Sequence, residues 1–180
     1  MTTNHPTTAN PAPIDALLRH FGDLRDGNHF GHVTRAGKES AFAVAAKLLD
    51  APATRVLEEL NTHLLCGTGQ VDTTGLHRDE RGGPLAAWLL TWPEQRAARL
   101  APVSIIATYG TGFHHPHLRG ATVQEWPLNV ATPEHAEELI PVLRTIAAGD
   151  LHNLVFQTGG DWRIIPAMFP ENAHDGKASA

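Results

Sequence analysis

Apolar residues in the N-terminal third of the chain recur with the period of amphipathic helices. The first series has the i, i+3, i+4, i+7 spacing of one helix face and consists of Ile14, Leu17, Leu18, Phe21 and Leu24. Pro13 precedes this series and Gly27 follows it, as is typical of the first turn and the end of a helix. We therefore predict a first helix that begins near Pro13 and ends at Gly27.

Two further helices are predicted directly after it. One covers residues 38–49 and the other residues 53–65, with the segment Asp50-Ala51-Pro52 between them as a break. The third helix stops at Gly67. Two helices joined by a turn of three residues have the spacing of a helix-turn-helix, and the pair resembles that part of helix-turn-helix repressors.

After Cys66 the pattern changes to short apolar runs without a helical period. Such runs are typical of strands, which we predict over residues 85–92, 103–109 and 121–126. A fourth helix is then expected to begin at Thr132 as N-cap, to kink or split at Pro141 and to end at Gly149. Two runs around Gly159-Gly160, over residues 153–157 and 162–165, predict a β-hairpin.

These elements define the expected fold class as α+β. Three N-terminal helices should pack with a mostly antiparallel sheet of four or five strands and one kinked helix. We expect a single domain over residues 13–168, with a helical part (13–66) and a part that contains the sheet (67–168). Residues 1–12 and 169–180 are polar or small without apolar periodicity, which predicts disordered tails.

Composition narrows the classes of function. The 180 residues include 14 basic and 19 acidic side chains, for a formal charge of −5, and this balance disfavours nucleic acid as a partner. A single cysteine, Cys66, excludes a disulfide framework. No apolar stretch is long enough for a membrane span and the N-terminus lacks the order of a secretory signal, so we expect a soluble cytoplasmic protein without a membrane partner.

The most distinctive chemical feature is the set of 12 histidines. Three of them lie in the segment Phe113-His114-His115-Pro116-His117-Leu118-Arg119, directly after a predicted strand. Because Pro116 favours an extended His115, the side chains of His115 and His117 should project to the same side. His29 and His32 form a second pair in a loop, and His20 on the first helix is assigned no role.

Two neighbouring imidazoles can bind a transition metal or exchange protons near neutral pH. The predicted metal site therefore uses His114, His115 and His117, with His152 as the distant partner and Zn or Fe as the ion. His77, Asp150 and Glu125 are further candidate ligands, because no spacing fixes the distant one. The alternative use of the same side chains is general acid–base chemistry.

The leading functional hypothesis is a small-molecule enzyme, a lyase, hydrolase or oxygenase, with His115 and His117 as catalytic groups. Arg119 would hold an anionic part of the substrate. An aromatic substrate is also conceivable, because all four tryptophans fall in the sheet region and could wall a pocket: Trp88, Trp92, Trp126 and Trp162.

Two other classes of function stay open at this level. One is a ligand-responsive transcription regulator that uses the helix-turn-helix, although the third helix would offer DNA a single basic residue, Arg55, next to Glu58 and Glu59. The other is a non-catalytic domain that binds a ligand or a partner. A homodimer is compatible with all three.

Overall fold

Residues 10–172 are described here from a computed structural model. A six-stranded sheet, antiparallel throughout, forms its centre. The strands follow the order β1-β3-β4-β5-β6, and β2 also pairs with β3. Their bounds are β1 Gln70–Thr73, β2 His77–Arg78, β3 Pro84–Thr91, β4 Val103–Thr108, β5 His117–Arg119 and β6 Trp126–Pro127.

Five α-helices accompany the sheet within residues 10–172. Their bounds are α1 Ala12–Asp26, α2 Arg35–Leu64, α3 Pro93–Ala97, α4 Pro133–Glu138 and α5 Ile140–Gln157. Three short 3₁₀ turns follow over Trp162–Ile164, Pro166–Met168 and Pro170–Asn172. The α+β class is therefore confirmed, and within residues 10–172 no helix is both long and apolar enough to cross a bilayer.

The core lies where α2 and α5 pack against each other and against the two central strands. Strand β3 pairs with β4 over six residues, with Trp88 opposite Ile105. Because a period of two places successive residues on opposite faces, each of these strands presents one apolar face to the helices. The indole N–H of Trp88 donates to the Asp50 carboxylate at 3.0 Å and so ties α2 to the sheet.

The prediction of three N-terminal helices is not confirmed, because a single helix α2 covers the two predicted segments. It runs through Asp50-Ala51-Pro52 without a turn. Proline removes one backbone donor from a helix, and here that loss is offset by burial of Pro52 and Ala53 in the core. The helix-turn-helix interpretation thus loses the turn on which it was based.

The predicted C-terminal hairpin is wrong, as is the helix end at Gly149. Helix α5 continues to Gln157 because its buried face continues, through Leu151 and Leu154. Gly159 and Gly160, both with positive φ, follow the end of the helix where the sequence predicted a hairpin turn.

The two central strands are close to prediction, whereas the short edge strands are not. Residues 85–92 and 103–109 correspond to β3 and β4. The run 121–126 contributes only Trp126 to β6, and β1, β2 and β5 were not predicted. Residues 1–9 and 173–180 of the predicted tails lie outside the described part, while α1 already begins at Ala12.

Candidate functional site

The connection between β4 and β5, residues 109–116, is held by contacts with the first turns of α2. The guanidinium of Arg35 donates to the carbonyl oxygens of Tyr109 (2.7 Å), Gly110 (3.1 Å) and Phe113 (3.3 Å). Its carbon lies 3.5 Å from the centroid of the Tyr109 ring, a cation–π contact. One cation therefore binds three carbonyl groups of this connection.

Lys38, one turn further along α2, is buried beneath the same connection. Its Nζ lies 3.4 Å from the carbonyl oxygen of His114 and 3.4 Å from that of Gly27. The Tyr109 hydroxyl also donates to the His114 carbonyl, at 3.4 Å. Lys38 thus links the loop after α1 to the β4–β5 connection.

Three imidazoles from three segments meet beside this connection and form what we call the histidine cluster: His20 of α1, His29 of the following loop, and His115. The ring centroid of His115 lies 5.1 Å from that of His20 and 5.7 Å from that of His29, in edge-on arrangements. The Nε2 atom of His115 is 2.9 Å from the carbonyl oxygen of Asn28. Since a carbonyl can only accept, Nε2 carries the hydrogen and Nδ1 keeps the lone pair.

His29 is the most enclosed member of the histidine cluster. Its side chain is 1% exposed, and neither ring nitrogen has a hydrogen-bond partner within residues 10–172. The nearest carboxylate oxygen belongs to Asp23, 3.5 Å from Nδ1. That carboxylate instead accepts from the backbone N–H of Phe30 at 3.2 Å and from the Asn129 side chain at 3.4 Å.

Burial dominates the electrostatics of the histidine cluster. Desolvation lowers the pKa of His29 to about 4, against the opposing effect of Asp23. Desolvation also lowers the pKa of His20 and of His115, and repulsion between the two rings contributes to the shift of His20. Burial therefore favours the neutral form of all three rings.

The structure separates the predicted site residues. His114 is exposed and lines a pocket, whereas His115 is buried in the histidine cluster. His117, half-buried on β5, lies close enough to His20 to lower its pKa and packs edge-on against Phe113 with ring centroids 5.1 Å apart. Arg119 donates to the carbonyl oxygen of Gly120 at 3.0 Å.

The distant partners are likewise not brought to His115 as ligands. His152 is exposed on α5, and its hydrogen-bond partner is the adjacent Asn153. His77 is exposed on β2. The buried carboxylate of Asp150 accepts from the Ser104 N–H at 2.9 Å and from the Thr122 N–H at 2.7 Å, so it stabilises the fold. Within residues 10–172, no three or more His, Cys, Asp or Glu side chains form a group that could hold a metal ion.

The polar pocket has a volume of about 510 Å³ and lies between the start of α2 and the β4–β5 connection. Its lining consists of Val33, Arg35, Lys38, Tyr109, Thr111, Gly112, Phe113 and His114. It contains two cationic side chains, two hydroxyl groups and one imidazole. Sequence patterns did not single out Arg35 or Lys38, because nothing local to α2 shows that a distant connection folds over them.

The four tryptophans do not share one pocket. Trp88 and Trp92 are core residues whose N–H groups donate to Asp50 and to the Ile164 carbonyl. Trp126 lines a separate, mainly apolar groove of about 650 Å³ beside α5, and Trp162 is 45% exposed. The prediction of an indole-walled aromatic site therefore has no counterpart in the described residues.

No known protein family matches the chain, and neither curated proteins nor solved structures show significant similarity to it. The described residues form an α+β fold with a cationic pocket at the end of the central strand β4.

Proposed function

We propose that the protein is a small-molecule enzyme in which His114 transfers a proton to or from a substrate bound in the polar pocket. The observation that carries this proposal is the position of His114. It is the one imidazole among the residues that line the pocket, on a connection held by Arg35 and Lys38 of α2. An imidazole exchanges protons near neutral pH, which suits general acid–base catalysis.

The surroundings of His114 favour a fixed orientation of its backbone. Its carbonyl accepts from both Lys38 and Tyr109, and the next residue, His115, is held by its bond to Asn28. A catalytic group whose supporting contacts are already in place pays little to reach its reactive geometry. Conformational restraint of this kind is expected of a proton-transfer group and is not needed by a solvated loop.

This arrangement changes the roles that the sequence predicted. His115 is 3% exposed and acts as a positioning residue, because it anchors the connection and does not line the pocket. Arg35 and Lys38 take the place proposed for Arg119 as the cations that face a substrate. Zn or Fe stays a prediction, and proton transfer by His114 needs neither.

A panel of small substrates tests the proposal: the anions p-nitrophenyl phosphate and a set of 2-hydroxy and 2-oxo carboxylates, with the neutral ester p-nitrophenyl acetate for comparison. Absorbance and NMR follow turnover and proton exchange. His114→Ala should lower turnover by about 10²- to 10⁴-fold, the usual contribution of general acid–base catalysis. Added 4-methylimidazole should restore part of the loss.

The matched control is His152→Ala, which removes an exposed imidazole on α5 away from the pocket. It should turn over substrate as the unaltered protein does. Absence of turnover for the whole panel, or equal loss in the two variants, would contradict the proposal.

A further inference from the structure

Lys38 is a buried cation without a carboxylate partner. Lys38 is 6% exposed, and its Nζ makes no ion pair with any Asp or Glu of residues 10–172. An ammonium group has three donors, and the two acceptors it reaches are neutral carbonyl oxygens at 3.4 Å. Burying a charge is costly unless it is paired and hydrogen-bonded.

The charge around Lys38 is positive overall. The carboxylate of Glu39 is shared between Arg35 at 2.9 Å and Arg78 at 2.7 Å. The Asp23 carboxylate acts on the same two rings as Lys38, those of His29 and His115. The three cations Lys38, Arg35 and Arg78 therefore exceed the two carboxylates of Glu39 and Asp23 by one charge, in a protein whose formal charge is −5. A local excess of the opposite sign to the whole protein attracts small anions to this place.

Residues that line the polar pocket also have backbone N–H groups left unpaired within residues 10–172. Three residues of its lining, Thr111, Gly112 and His114, have N–H groups that make no hydrogen bond to an acceptor in the described part of the chain. Oriented N–H groups next to a cation are the donors that proteins use for phosphate and carboxylate oxygens.

From these three observations we propose that the polar pocket is an oxyanion site, in which a phosphate or carboxylate group of a small molecule pairs with the ammonium of Lys38. Arg35 adds a second positive charge, and the free N–H groups of the connection bind the remaining oxygens. This inference names the substrate class of the proposed enzyme and therefore rests on the same pocket, but binding can be measured without any turnover.

Thermal unfolding with inorganic phosphate and with citrate, each compared with NaCl at equal ionic strength, tests the oxyanion site. A ligand that binds only the folded protein should raise Tm by roughly 3–6 °C at ten times its Kd for a domain of this size. A larger rise with phosphate than with citrate would identify a phosphate site, and the reverse order a carboxylate site. Equal melting in phosphate, citrate and NaCl would overturn the proposal.

Two variants test whether the rise in Tm depends on Lys38. Lys38→Met keeps most of the side-chain length and should abolish the specific rise in Tm, whereas Lys47→Met, on an exposed position of the same helix, should retain it. A response of Lys38→Met equal to that of the unaltered protein would refute the assignment.

A second measurement covers the case in which Lys38→Met does not fold. Phosphate or citrate added to the unaltered protein should shift the amide resonances of Thr111, Gly112 and His114. Shifts confined to other residues would contradict the site. Anion binding with no His114-dependent turnover would contradict the proposed enzyme alone, and turnover without anion binding would contradict the oxyanion site alone.

Discussion

Helices α1 and α2 both contain many apolar residues, but most of the large apolar side chains are buried in α2 and exposed in α1. In α2 the side chains of Phe42, Leu49 and Leu57 are fully buried against the sheet and α5. In α1 four of the five large apolar residues are exposed, with relative exposures of 46% for Ile14, 56% for Leu18, 56% for Phe21 and 45% for Leu24. An apolar period thus predicts a helix without specifying which face meets the body of the domain.

Apart from the buried Ala16, the contacts that α1 makes with the rest of the protein are mainly polar. Arg19 donates to the Asn129 side chain at 3.0 Å and lies 3.5 Å from Glu138, while Asp23 accepts from Asn129. His20 contacts His115. Hydrogen bonds of this kind contribute about 1 kcal/mol each, whereas α2 gains from burial of whole apolar side chains, at about 1.5–3 kcal/mol each. We therefore expect α1 to be the less stable of the two regions.

The largest loss in the free energy of unfolding should come from a substitution in the core. Leu143→Ala removes a fully buried side chain of α5 and should lower the free energy of unfolding by about 2–5 kcal/mol, through lost burial and a residual cavity. Urea denaturation measures it. Phe156→Ala on the same helix is the control, since Phe156 is 78% exposed and its loss should cost little. Similar losses in both would show that burial does not rank stability here.

Lowering the pH should destabilise the folded protein through the histidine cluster. The pKa of His29 is lowered to about 4, so between pH 6.5 and 4 the unfolded chain binds more protons than the folded one, and stability falls as pH falls. His29 alone should cost about 2 kcal/mol between pH 7 and pH 5. His20, His115 and His117 act in the same direction, because the pKa of each is lowered.

His29→Leu tests whether the histidine cluster causes this pH dependence of stability. Urea denaturation at pH 7 and pH 5 should show a smaller pH dependence in this variant than in the unaltered protein. The exposed control His63→Leu should keep the full dependence. If both variants keep it, the histidine cluster is not its source.

A smaller and more local effect is expected at Asn129, the buried amide that joins Arg19 to Asp23. Asn129→Ala removes both hydrogen bonds and should weaken attachment of α1 by about 1 kcal/mol. Hydrogen exchange followed by mass spectrometry should show faster exchange in α1 with little change in α5. Equal acceleration in both helices would mean that α1 unfolds together with the core.

The smallest effect is expected on the exposed face of α1. Phe21→Ser should change the free energy of unfolding by less than about 0.5 kcal/mol, because this ring is more than half exposed. Equilibrium unfolding at several protein concentrations measures it. A loss above about 1 kcal/mol that grows with concentration would show instead that a second copy covers this face, as the homodimer prediction requires.

Local signals were sufficient where one sequence feature decides one structural feature. Pro13 lies in the first turn of α1 and Gly27 is its C-cap, and Thr132 is the N-cap of α4. The breaks predicted at Asp50-Ala51-Pro52 and at Gly149 failed for a common reason: burial on the faces of α2 and α5 continues past both and outweighs the local cost. The short strands were missed because two or three residues carry too little pattern.

In the candidate site, too, the sequence predicted the local feature and did not predict the contacts between distant segments. The sequence singled out the segment from His114 to Arg119, and its first residue does line the polar pocket. Lys38 and Arg35 are separated from that segment by more than 70 residues and have no pattern that links them to it. His20 and His29 were set aside or paired with other residues, because their approach to His115 depends on where α1 docks.

The sequence by itself determined the class of the fold, the ends of α1, the two central strands and the histidine-rich connection, since each follows from periodicity, capping residues or residue type within a short window. Only the tertiary structure decided that α2 is unbroken, that the contacts of α1 are mainly polar, and that a buried lysine lies beside His114. These features depend on which surfaces meet, and the burial of one segment against a distant one sets its free energy.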